Sequence, residues 1–189
     1  MGDDSAADEA AERRFFAGLP ATRGAAGALI LSPAGEVLLV ERTYRPDAPW
    51  GLPGGIVERD ESPLAACRRE LAEELGIAAA VRRLVAVDWV AAEGVRTTAL
   101  HWLFTAELPG GARLRLPPEE LSGWTWADPG RVGGLLAPHT ARRVAAGLAA
   151  AAAGETVYLP SWAPERARRG GPVPHGPRRP DPEVFLRRP

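Results

Sequence analysis

The chain reads as an α/β sandwich, one domain in which strands and helices alternate. Three observations carry that reading. Apolar runs of strand length, bounded by Gly, Pro, Ser and Asp, recur through the middle of the chain. Two segments, residues 63–75 and 138–153, instead begin on Pro and stop at Gly, as helices do. The length of 189 residues suits a single domain with a sizeable core.

In order, "AAGALILSP" and "GEVLLVERTY" read as two strands around a turn at Ser32, Pro33, Ala34 and Gly35. "WGLPGGIVE" is a third. A helix follows, with Ser62 placed to cap it, Pro63 at its first position and Gly76 as its stop. "VRRLVAVDWVAA" and "TTALHWLFTAEL" form a strand pair joined through "EGVR", and "ARLRL" and "GWTWAD" are shorter strands. Asp128 caps a short helical piece through "GRVGGLL". "PHTARRVAAGLAAAAAG" is an alanine-rich helix ending at Gly154, and "TVYLP" closes the domain.

Residues 1–20 read as an acidic, disordered arm, with five acids against two arginines. Residues 161–189 read as a disordered tail, since they hold seven prolines and seven arginines. The intervening domain, 21–160, keeps 16 acids and 14 arginines, so its net charge is −2. That near-neutral balance is a poor footprint for duplex DNA or long RNA, and no specific nucleic-acid partner is expected. All 23 basic residues are arginine, which reads as coding bias rather than function. The single cysteine, Cys67, excludes a disulfide framework and suits a reducing cytoplasm. It falls near the apolar side of the first long helix, so it reads as a buried structural thiol. No segment has the form of a secretory signal or a membrane span.

The acidic helix is the most informative stretch. With Glu70 at zero, Glu73 and Glu74 fall roughly 60° to one side and roughly 40° to the other. Leu64, Leu71 and Leu75 fall on a separate arc. The helix thus carries an acidic stripe beside an apolar one. Such like-charge pairs cost about 0.2–0.5 kcal/mol each, and carboxylates late in a helix oppose its dipole. A solvated acidic face is one reading. A site for a hard divalent cation is the other, since magnesium takes carboxylate oxygens together with substrate phosphates.

The wider spacing favours the second. From Gly55, five residues lead to Glu61, and seven more lead to Arg69-Glu70-Leu71-Ala72-Glu73-Glu74-Leu75-Gly76-Ile77. This resembles the signature of the Nudix hydrolase family, G-x5-E-x7-R-E-U-x-E-E-x-G-U with U a bulky aliphatic, and every fixed position matches. The preceding "WGLPGG" resembles the family's strand into that motif. The resemblance implies an α/β/α sandwich with a mixed sheet and the motif as loop–helix–loop. It implies Mg2+-dependent hydrolysis of a nucleoside diphosphate linked to another moiety, by water attack at phosphorus, with Mn2+ an alternative ion. Glu70, Glu73 and Glu74 would be metal ligands, and Gly54 would add its backbone carbonyl. Arg69 would orient the glutamates, and Glu61 would fix the loop–helix junction. Glu70 is the first choice for general base, with Glu120, Glu119 and Glu93 as loop candidates.

The substrate is less legible. Motifs that resemble those of the ADP-ribose, dinucleoside polyphosphate, NADH and coenzyme A subfamilies are missing, which leaves a nucleoside triphosphate or modified nucleotide as the default. Arg42 and Arg45 are candidate phosphate clamps, Trp50 a candidate stacking surface, and Gly55 lets backbone approach a phosphate. Trp102 alternates with Leu100 and Phe104 toward a core, and His101 points the other way. The alternative function is a catalytically silent nucleotide sensor on the same fold. Oligomeric state stays open, a homodimer included.

Overall fold

A computed structural model of the chain describes residues 3–162. The elements run α1 (Asp3–Ala17), β1 (Arg23–Ile30), β2 (Val37–Arg42), β3 (Trp50–Gly51), β4 (Gly54–Ile56), α2 (Pro63–Leu75), β5 (Ala80–Val90), β6 (Ala99–Glu107), β7 (Leu121–Ala127), α3 (Pro129–Leu135), α4 (Pro138–Ala153) and β8 (Val157–Trp162).

Five strands form one sheet in the order β4-β1-β6-β5-β8, and three form a second in the order β3-β2-β7. The first sheet is mixed. β1 runs parallel to β6 and antiparallel to β4, and β5 runs antiparallel to β6 and parallel to β8. Strand alternation sends successive side chains to opposite faces. Ala26, Ala28 and Ile30 of β1 therefore join a core under α2 with Leu71 and Leu75. Leu29 of the same strand joins a second core under α4, with Leu103 and Val144. Two apolar layers flanked by helices make the α/β/α sandwich that the sequence implied.

Three local expectations need correction. "WGLPGGIVE" is two strands in different sheets, β3 and β4. Leu52 and Pro53 intervene, and the Pro53 carbonyl accepts from the Ala28 N–H at 2.9 Å. Proline has no N–H for a ladder, and Gly54 turns the chain at a φ of 133°. "ARLRL" is not a strand. It lies along the end of α2, where the Arg115 N–H donates to the Leu75 carbonyl at 2.9 Å while Leu114 and Leu116 pack on the first core. The arm expected to be disordered is helical over Asp3–Ala17, with an Arg13–Glu9 pair one turn apart. Its alanines have high helix propensity and the pair adds a favourable i,i+4 contact. The closing strand extends to Trp162, and the tail from residue 163 onward lies outside the described residues.

Cys67 sits on the buried side of α2 with no exposed surface. Burial pushes its thiol up to about 12, so the thiolate is absent at neutral pH. We expect the native protein to resist thiol-specific labelling at pH 8 and to be labelled once denatured. Rapid labelling of the native state would place Cys67 elsewhere.

Candidate active site

Local chemistry fixes the acidic helix before any ligand is considered. Ser62 accepts from the Ala65 N–H at 3.2 Å, Pro63 opens the helix, and Gly76 ends it in the left-handed region at a φ of 66°. The loop before it passes over the helix at two glycines. A Cβ on Gly54 would lie 2.3 Å from the Ala26 carbonyl oxygen, and one on Gly55 would lie 2.3 Å from Glu70 Oε1. Only glycine lets β4 pack against β1 and the Glu70 carboxylate together.

Arg69 gathers the acids. Its Nε donates to Glu61 Oε1 at 3.0 Å and its Nη2 to Glu61 Oε2 at 3.0 Å. Its Nη1 donates to Glu70 Oε1 and to Glu73 Oε2, both at 2.9 Å. A further Nη2 bond reaches the Ile56 carbonyl at 2.9 Å. One guanidinium therefore ties the loop to the helix and offsets three carboxylates. The Glu61 bonds, with those of Glu70 and Glu73, raise the Arg69 pKa, and the Arg69 bond lowers that of Glu61. Glu61 also accepts from the Glu58 N–H at 3.1 Å, which pins the loop at the helix entrance.

Glu74 stands apart. It is 5% exposed, and the one hydrogen bond its carboxylate accepts comes from the Gly54 N–H, at 2.7 Å. Burial pushes it up to about 7, against the pull of that bond, and Glu70 and Glu120 push the same way. Burial raises Glu70 as well. Among the described residues no three acidic, histidine or cysteine side chains converge into a ready-made metal cage. Glu73 is turned onto Arg69, and its side chain is 59% exposed. The donor set is nonetheless of the right chemistry. Two desolvated carboxylates lacking a full countercharge, with an exposed third beside them, fit a hard divalent cation.

The glycine loop opens onto a pocket of about 470 Å³ that reaches across β1 and β6 to the start of α4. Gly54, Gly55, Arg42 and Arg45 line it, as expected for a substrate surface. Arg42 is chiefly a brace. It donates to the carbonyls of Ala48, Pro49 and Trp50 at 3.0, 3.2 and 2.9 Å and so shapes the β2–β3 loop. Arg45 makes no side-chain hydrogen bond or salt bridge among the described residues. Trp50 does not line the pocket and packs against the second core instead, because it pairs with Glu41 on the face of β2 from which Val37 and Leu39 enter that core. The aromatic side chains at the pocket are Tyr44 and Trp102. Glu120 is exposed, close enough for its charge to act on both Glu70 and Glu74. Glu93 lines the pocket, and Glu119 contributes its carbonyl to Thr43.

Sequence reasoning missed Asp88 and Arg143, a buried ion pair in which Arg143 lines the pocket and Asp88 lies behind it. A signal existed. Asp88 is a lone acid in the apolar strand "LVAVDWV", and Arg143 interrupts an alanine-rich helix; two opposite charges in apolar segments are buried when they can pair.

The fold and the loop–helix glutamates define a class of α/β/α domains that carry an acidic helix beneath a glycine loop. A sequence profile described as the NUDIX domain matches residues 21–148, and the chain belongs to that family. Among curated relatives, Phosphatase NudJ of Escherichia coli K12 is 37% identical over 82 residues, 43% of this chain and 52% of that protein. The chain thus spans about half the length of the curated relatives it matches. The solution structure of the E. coli ORF135 protein is 30% identical with a TM-score of 0.57, covering 71% of this chain and 94% of that one. The MutT protein of Methanosarcina mazei Go1 shares the fold at 22% identity and a TM-score of 0.57, over 72% of this chain and 98% of that one.

A carboxylate whose folded pKa lies above its unfolded value weakens the fold as pH rises between the two. Without metal, Glu74 therefore costs stability from about pH 4.5 up to about 7. We expect Glu74→Gln, melted in EDTA at pH 8, to be more stable than the parent by about 3 kcal/mol, with the gap closing toward pH 4.5. An unchanged or lowered melting temperature at pH 8 would show that Glu74 carries no such strain.

Proposed function

We propose that the chain is a pyrophosphohydrolase that cleaves a nucleoside diphosphate linked to another moiety, with a nucleoside triphosphate or modified nucleotide as the default substrate. One observation supports this most. Two desolvated carboxylates, Glu70 and Glu74, lie against Gly55 and Gly54, and the same two glycines line a pocket that also carries five arginines. Negative charge behind the glycines invites a cation, and positive charge along the pocket invites phosphate.

On this reading Glu70, Glu73, Glu74 and the Gly54 carbonyl hold the ion, Mg2+ or Mn2+. The bound ion would offset phosphate charge, polarise the phosphoryl oxygen and lower the pKa of attacking water. The chain's own residues do the rest. Arg69 holds Glu70 by Oε1, which leaves Oε2 to take the proton from water as oxygen attacks phosphorus. Burial raises the Glu70 pKa, which makes its carboxylate a stronger base. Glu61 keeps Arg69 in place, and Glu120 tunes both carboxylates by its charge. Arg45, with Arg42 behind it, meets the phosphates. No described helix is long and apolar enough to cross a membrane. The single cysteine suits an enzyme acting on small nucleotides in a reducing cytoplasm.

The test is phosphate or pyrophosphate release from a panel of nucleoside triphosphates, oxidised purine nucleotides, ADP-ribose, NADH, dinucleoside polyphosphates and sugar nucleotides. It is run with Mg2+ and with EDTA. We expect Mg2+-dependent turnover of one class, reduced by about 10²-fold or more in Glu73→Gln. Saturable nucleotide binding with no turnover across the panel would replace the hydrolase reading with that of a sensor.

A further inference from the structure

The pocket's far wall holds a group that the pyrophosphate chemistry leaves unused. Arg143 on α4 is 7% exposed and lines the pocket. Its Nε and Nη2 donate to Asp88 Oδ2 at 3.0 and 2.8 Å. A guanidinium carries five N–H donors, so the edge centred on Nη1 is left over. That edge is not sealed in protein. Among the described residues the one sealed side-chain polar atom without a partner is Asp88 Oδ1; Nη1 is bonded to none of them, so it keeps solvent access on a side chain that lines the pocket. Asp88 thus acts as a positioning residue. It neutralises and orients Arg143 from behind while the free edge faces forward.

The surroundings say what that edge should meet. Five arginines line the pocket, against the single carboxylate of Glu93. Arg45 and Arg96 among them make no side-chain hydrogen bond or salt bridge within the described residues. The first turn of α4 faces the same space at His139 and Thr140, and its N-cap, Ala137, offers no side-chain acceptor to the N–H groups there. The positive end of a helix adds to the same field. Burial first, and then the charge of Arg143, hold His101 and His139 toward their neutral forms. A neutral ligand would leave this field unmatched.

We propose that the substrate of this site carries, besides its pyrophosphate, a second oxyanion group that docks on the free edge of Arg143 at the α4 wall. A guanidinium edge matches a phosphate ester or a carboxylate with two parallel hydrogen bonds. This rests on the hydrolase reading and narrows it, because the acidic helix and the α4 wall then hold separate parts of one polyanion.

The experiment is calorimetric titration of the full chain with inorganic phosphate, and separately with acetate, in EDTA at constant ionic strength. Without metal the acidic end repels both probes, so binding reports the arginine end. Arg143→Ala would strand the buried Asp88 charge and endanger folding. The decisive variant is therefore Asp88→Leu with Arg143→Met, which removes the pair together, and its fold is checked by circular dichroism. We expect saturable binding to the parent, weakened tenfold or more in the double variant. A preference for phosphate would assign a phosphate ester, and equal binding would assign either oxyanion. Affinity unchanged in the folded double variant, or no saturable binding of either probe to the parent, would overturn the inference. Turnover plays no part in this readout, so the inference can fail while the hydrolase reading stands.

Discussion

Arg69 is the contact on which the rest of the site depends. Without it α2 would hold Glu70, Glu73 and Glu74 in mutual repulsion, and the loop from β4 would lose its ties to the helix at Ile56 and Glu61. With it, one guanidinium reaches the Glu61, Glu70 and Glu73 carboxylates and the Ile56 carbonyl, at 2.9 to 3.0 Å. The two glycines of the loop can then lie flat on Glu70 and on β1. The same bonds leave Glu74 outside the network, buried and short of countercharge. The strain is placed where a cation would relieve it, a familiar exchange of stability for function.

The second constraint is the separation of charge along the pocket. The α2 carboxylates lie behind Gly54 and Gly55, and arginines from β1, β2 and the loop after it, the β5–β6 loop and α4 line the pocket. These residues are far apart in sequence, and the parallel pairing of β1 with β6 brings them together. Small side chains on β1, Ala25, Ala26 and Gly27, keep its surface low enough for the pocket to exist. The buried Asp88–Arg143 pair then holds α4 against β5 and presents a cation where desolvation would otherwise forbid one.

Much of this was legible in the chain. The helix carrying Glu70, Glu73 and Glu74 announced itself by its caps and its two stripes, because those signals are local. The sandwich followed from the order of elements. What was not legible depended on long-range packing. Trp50 is turned into the second core by a strand pairing that its own neighbours do not encode. "ARLRL" alternates like a strand, yet it meets the end of α2 rather than a sheet edge, so its alternation serves packing and not a ladder. Arg42 looked like a phosphate clamp because nothing in the sequence says that three carbonyls of the next loop turn toward it. Arg143 was the opposite case. Its pairing with Asp88 spans 55 positions, and only the fold shows which side of the guanidinium remains free.

The central claim is that the glutamates of α2 form a divalent-cation site. Electron paramagnetic resonance of Mn2+ titrated into the protein tests it without a substrate. The account predicts that the free-ion signal is depleted by the parent and restored when Glu70 and Glu74 are both changed to Gln. Depletion that survives the double change, or none with the parent, would contradict it.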